Sequence, residues 1–197
     1  MAAETTAHRV LENARDLFVE RGAAGVTMRA VASRSGVSAM AIYRHYANRD
    51  ALLKAVVAQG HGVFLAYLQR ALGEATPWAR FETAGRQYLR FALDHPRDYA
   101  VLFMTSAHLE GRGKGARTWQ EAATFRFLVD RIRECADAGL LAAPDAEAAA
   151  LTIWAQVHGL VSLYLAEKLH LGRPAFEKLY ESSLAELVRA FTVKAAR

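Results

Sequence analysis

Between residues 27 and 50 the chain reads TMRAVASRSGVSAMAIYRHYANRD, a stretch whose cations stand at spacings suited to gripping a polyanion. The local placement of Arg29, Arg34, Arg44 and Arg49 matters more than the net charge, and Arg44 and Arg49 can each meet a phosphate oxygen, a contact that sets the register of a protein on a duplex. Arg44 can instead pair with guanine O6 and N7, and Ala39 and Met40 can touch a thymine methyl. Both roles of Arg44 are open at this point. With so few polar readers, recognition would lean on apolar contacts, on Arg44 and on DNA shape.

Two short helices must present these groups. Thr27 can cap the first, with its hydroxyl accepting from a free backbone N–H two or three residues on. That helix runs from about Met28 to Arg34 and turns Met28, Val31 and Ala32 to one side. Gly36 suits a turn that needs positive φ. Ser38 caps the second helix, which sends Ile42 inward and carries Tyr43, Arg44 and His45 toward its end. The pattern is that of a helix-turn-helix, whose second helix enters the major groove. Asn48 caps a long fourth helix, with Arg49 at its positive end where a phosphate would be welcome.

The helix ahead of the motif, about Thr6–Arg21 in AHRVLENARDLFVERGAAGVTM, offers Leu11, Ala14, Phe18 and Val19 as a buried stripe and stops at Gly22. Together with IYRHYANRDALL (42–53), residues 6–55 resemble the DNA-binding domain of the TetR family of bacterial transcriptional repressors. The resemblance implies phosphate contacts at Tyr43 and His45 and a contact from Thr27 at the start of the second helix. Tyr43 read without it is either such a contact or a core aromatic beside Ile42.

Composition sets looser bounds. The 197 residues are 53% apolar and 23% charged, globular values with ample material for a core. Net charge is +5, and residues 1–60 hold 8 Lys/Arg against 5 Asp/Glu, so the surplus is denser where DNA would sit. The lone Cys135 excludes an internal disulfide and a Cys-rich zinc site, and it reads as a small buried hydrophobe. No basic-then-apolar leader opens the chain, and no apolar run approaches a membrane span, so a cytoplasmic protein with no membrane partner is expected. No metal site and no cofactor are expected.

Beyond Asp50 only helical patterns are legible, and the fold class expected is all-α. Residues 1–50 form the DNA-binding domain and 51–197 a ligand-binding and dimerisation domain, with helix four (about 48–72) linking them. Further helices are expected at about 77–95, 97–107, 116–138, 146–170 and 174–194, with GRGKGAR (111–117) a solvated basic linker. Trp154-Ala-Gln-Val-His158-Gly159 and FALDHPRDYAVLFM (91–104) resemble the WxxxHG subclass of TetR C-terminal domains, over about residues 78–170.

The last two helices carry more apolar surface than a monomer would leave bare. Val157, Leu160, Val161, Tyr164, Leu184 and Phe191 are candidates to pack on a second copy, or in part to fill the subunit. TetR resemblance implies a four-helix, two-fold dimer interface, and such a homodimer would present two recognition helices to a palindromic operator. Tyr88, Phe91, Phe103, Trp119, Phe125 and Trp154 are candidates to line an apolar pocket, although each taken singly suits core packing better. Such a pocket would take a small apolar or aromatic effector. His158, one turn from Trp154, is either a donor into it or a satisfied core histidine. The expected function is a sequence-specific repressor released by that effector. The alternative is a ligand-binding or scaffold protein with degenerate DNA recognition. The chain shows no Gly-rich phosphate loop after a strand, no HExxH and no nucleophile triad by spacing, so it is not expected to be an enzyme.

Overall fold

The computed structural model describes residues 6–104 and 122–192. They form helices α1 (Thr6–Gly25), α2 (Met28–Ser35), α3 (Ala39–Tyr43), α4 (Arg49–Gln69), α5 (Pro77–Asp94), α6 (Pro96–Tyr99), α7 (Ala123–Asp137), α8 (Ala146–Leu165) and α9 (Arg173–Arg189). A 3₁₀ turn, Arg70–Gly73, follows α4, and a π turn, Ala100–Met104, follows α6. Among the described residues there is no strand, only an isolated bridge between Leu141 and Thr192. The fold is all-α, with an N-terminal helix-turn-helix and a C-terminal helical region.

The chain divides into two compact units. The first holds residues 6–63 and takes back 95–104; the second holds 64–94 and 122–192. The chain passes between them inside α4 and again between Asp94 and His95.

In the first unit α1 turns Val10, Ala14, Leu17 and Phe18 into a core completed by Val31, Ile42 and Leu52. The spacing of 3–4 residues puts those four on one helical face. Val19 lies just off that face and is 38% exposed, so it does not belong to the buried stripe as the sequence suggested. The helical path of α1 breaks at Gly22 (φ 66), where an L side chain would be strained. Val101 of the returning segment enters the same core. Around it Arg15 pairs with Asp98 at 3.3 Å and Arg97 with Asp16 at 2.8 Å, so α6 docks on α1 through two ion pairs and an apolar plug. Asp98 and Arg15 are both largely buried, which makes loss of either partner more costly than loss of a surface pair.

In the second unit α7 turns Phe125, Val129, Ile132 and Cys135 against α5 and α8. Burial pushes the Cys135 thiol up to about 11, and the side chain is fully enclosed. It is a packing group, and its thiol is inert at neutral pH. Gly139 (φ 70) closes α7, with Gly139 N–H donating to Ala136 and Leu140 N–H to Cys135. α9 seats Phe176 and Tyr180 in full burial; Tyr180 Oη donates to the Gly85 carbonyl at 3.0 Å, and Phe176 stacks on Tyr164 with centroids 3.9 Å apart.

Several helices are shorter than their apolar patterns suggested. α8 stops at Leu165 rather than near His170, because Glu167 (φ 56) and His170 (φ 40) take left-handed conformations that end it. Arg49–Gly73 and Ala146–Leu165 are long and apolar enough, by length and composition alone, to cross a membrane, which corrects the reading that no such run exists. Core helices meet the same measure. α8 buries Ala150, Ile153, Val157 and Val161 along one face inside its own unit and leaves the rest of its length exposed or half-buried.

Candidate nucleic-acid interface and ligand body

The turn region 27–49 is assembled by caps. Thr27 Oγ1 accepts from Ala30 N–H at 3.1 Å, Ser38 Oγ from Ala41 N–H at 3.2 Å, and Asn48 Oδ1 from Ala51 N–H at 2.8 Å. Each satisfies a backbone donor left open at the start of a helix. Gly36 (φ 64, ψ 33) closes α2 and donates to the Ala32 and Ser33 carbonyls. The result is a five-residue α3 held at a set angle to α2 by a left-handed glycine and a serine cap.

The outward groups gather on this surface. Thr27, Arg29, Ser38, Met40, Tyr43, Arg44 and His45 are exposed and Ala39 is half-buried, while Ile42 points into the core. Met40 is 67% and Tyr43 49% exposed. Tyr43 is therefore not the core aromatic that its neighbour Ile42 allowed.

The four arginines differ in what already holds them. Arg34 grips Glu20 with two bonds, Nη1 to Oε2 at 2.6 Å and Nη2 to Oε1 at 2.7 Å, and this bond depresses the Glu20 carboxyl. Arg49 donates Nε to the Val26 carbonyl at 2.7 Å and Nη2 to the Ala23 carbonyl. Among the described residues Arg29 and Arg44 have no ion-pair partner, which leaves their charge facing solvent.

Of the aromatic candidates of the body, Tyr88, Phe91, Phe125 and Trp154 are linked through Phe64 and His158 in the second unit, and Phe103 lies in the first. Tyr88 and Phe91 meet Phe64 of α4, edge-on with centroids 5.6 Å apart and stacked at 4.7 Å. Phe125 meets Trp154, and Trp154 meets His158, with centroids 6.1 and 5.8 Å apart. Tyr88 Oη lies 3.4 Å from His158 Nδ1, and Ser162 Oγ lies 3.4 Å from Nε2. Burial holds the His158 imidazole below its usual range, so the ring is neutral near pH 7. Phe103 belongs to the first unit, where it packs on Tyr99 at 5.0 Å. Trp119 and the 111–117 stretch lie outside the described residues. A surface hollow of about 510 Å³ opens between the end of α7 and the start of α8, lined by Arg133, Asp137, Asp145 and Glu147 among others; none of the aromatic candidates lines it. Phe64 and Ser162 were missed from sequence. Phe64 shares the apolar face of α4 with Leu68 at i, i+4, a spacing that could have drawn attention to it.

Two of the dimer candidates are corrected. Val157 and Val161 are 5% and 0% exposed in the single chain, so they fill the subunit and have no surface to offer a second copy. Leu160, Tyr164, Leu184 and Phe191 are half-buried, and the open faces of α8 and α9 instead carry Leu151, Leu163 and Leu179. The reason is rotational: at 100° per residue, 157 and 161 share the inner face with 150 and 153.

Comparison with known proteins agrees with this architecture. Residues 10–56 match the family model for bacterial regulatory proteins of the tetR family, and residues 81–187 match a tetracyclin repressor-like C-terminal domain. The chain belongs to the TetR family. It is 41% identical over 54 residues to an HTH-type transcriptional repressor of Mycobacterium tuberculosis, covering 27% of this chain and 29% of that one. It is 26% identical over 95 residues to the Transposon Tn10 TetC protein of Escherichia coli, covering 48% of each. The chain thus spans less than half the length of these curated relatives. Among solved structures, a protein of unknown function from Rhodococcus sp. RHA1 superposes with TM-score 0.77 at 24% identity over 98% of both chains. A TetR family transcriptional regulator from Thermus thermophilus superposes with TM-score 0.68 at 16% identity, covering 95% of this chain and 100% of that one. At these identities the likeness is one of fold.

Proposed function

We propose that this protein is a homodimeric, sequence-specific DNA-binding regulator, a repressor that leaves a palindromic operator when a small apolar or aromatic molecule occupies its C-terminal region. One observation carries the reading: Met40, Tyr43 and Arg44 stand exposed on and just after the short second helix of the motif, which Ser38 caps and Ile42 anchors in the core. Thr27, Arg29, Tyr43 and His45 would take phosphate. Ser38, Ala39, Met40 and Arg44 would face the groove, with Arg44 on guanine or phosphate. Residues 1–50 would be the DNA-binding domain and 51–197 the effector and dimerisation domain, and a DNA partner would place the protein in the cytoplasm. The Trp154–His158–Gly159 spacing supports the WxxxHG subclass.

Release requires that the effector bind the two states unequally. A shift of α4, which runs through both units, would change the spacing of two heads in a dimer. Tyr88, Phe91, Phe125, Trp154 and His158, all in the second unit, are offered for the effector; Phe103, in the first unit, and Trp119, outside the described residues, are the remaining candidates. Leu160, Tyr164, Leu184 and Phe191, joined by exposed Leu151, Leu163 and Leu179, are offered for the dimer.

Selection of a random duplex library by the purified protein tests the reading. Enrichment of an inverted repeat supports it and supplies the probe for effector screening. Salt-sensitive binding without an enriched motif overturns it for the unliganded protein and favours the ligand-binding or scaffold alternative, which the scarcity of polar readers at Ala39 and Met40 also suits.

A further inference from the structure

Arg49 opens α4, yet its side chain runs back to the turn between α1 and α2. Nε donates to the Val26 carbonyl at 2.7 Å, Nη2 donates to the Ala23 carbonyl, and Nη1 lies 3.6 Å from Asp50 Oδ1. The Ala23 carbonyl lies past the break at Gly22, in the last turn of α1, and the Val26 carbonyl lies in the linker to α2. Val26 is fully buried, and the next residue, Thr27, caps α2. One planar fork thus ties two carbonyls three residues apart to the start of α4, at the turn that delivers Thr27 and the whole helix-turn-helix.

We propose that Arg49 is a positioning residue for DNA binding, a clasp on the α1–α2 turn rather than a contact to phosphate. The proposal rests on the DNA-binding reading. Its chemistry is particular to arginine. The guanidinium presents donors in a fixed fork, whereas a lysine ammonium is a point charge that keeps phosphate attraction but not the two-carbonyl geometry. A phosphate contact and a clasp therefore respond oppositely to Arg49→Lys.

The experiment compares the full-length wild type, Arg49→Lys and Arg49→Gln in two measurements. In the free proteins, amide hydrogen exchange is followed at residues 26–31. The clasp predicts faster exchange there in both variants, with exchange in α5 and α9 unchanged. Binding to a random-sequence duplex pool is then measured across a salt series on samples shown to be folded. The clasp predicts that both variants lose about tenfold in affinity, the order of one charge-assisted hydrogen bond, with the wild-type salt slope retained. Three results overturn it. Lys at wild-type affinity, with Gln losing about one unit of slope, makes Arg49 a phosphate contact. Unchanged exchange at 26–31 removes the clasp itself. Lower melting temperature with unchanged affinity makes the bonds merely structural. A wild type that binds no duplex removes the DNA reading, and the exchange measurement still decides whether the clasp exists.

Discussion

Four arginines of one short stretch share a side chain but not a task. Arg34 is paired with a bidentate Glu20, Arg49 is folded back onto the α1–α2 turn, and Arg29 and Arg44 are exposed with no ion-pair partner among the described residues. Arg44→Ala should therefore weaken duplex binding by about 1–3 kcal/mol if it reads guanine, and relax selection at one base pair. If it grips phosphate, binding should fall evenly across sequences and the salt slope by about one unit; binding titrations on matched and mismatched duplexes separate the two. His158 is the residue-scale pH element. Its imidazole is held below 6.5 by burial, so the folded state stays neutral where the unfolded chain takes up a proton. The contribution is fully present above pH 6.5 and is lost as pH falls through 6.5 toward the depressed folded value. Urea unfolding between pH 8 and about pH 5.5 should show a steeper loss for wild type than for His158→Gln; parallel curves would remove His158 from the account.

At the scale of elements, caps and glycines set the recognition surface. α3 has five residues, too few to be a stable helix alone, so its angle depends on Ser38, Gly36 and the buried Ile42. Gly36→Ala would meet no steric neighbour, but it would force a Cβ into the left-handed region at φ 64. The expected cost is about 1 kcal/mol of stability. Thermal unfolding measures that cost directly, and no loss would mean that the turn relaxes to another closure. The caps at Thr27, Ser38 and Asn48 were legible from residue type, since a short hydroxyl or amide before an apolar repeat has few other uses. The end of α8 was not: nothing in AEKLHLG announces that Glu167 and His170 would take positive φ.

At the scale of the molecule, the proposed dimer would form through the open faces of α8 and α9. Leu151 and Leu163 are 40% and 47% exposed on the outer side of α8. A Leu151→Glu, Leu163→Glu double substitution should turn a dimer into a monomer by sedimentation velocity while leaving helical content unchanged, because neither side chain fills the core. Retained dimer would move the interface to another face. The residue sequence by itself determined the all-α class, the helix-turn-helix, its caps and the TetR resemblance, because these depend on neighbours within about one helical turn. Tertiary structure decided what lies across the fold. It buried Val157 and Val161, brought Tyr88 to His158, docked α6 on α1 through Asp98 and turned Arg49 toward Ala23 and Val26. Those outcomes depend on which face of each helix meets which neighbour, and periodicity along one helix does not encode that choice.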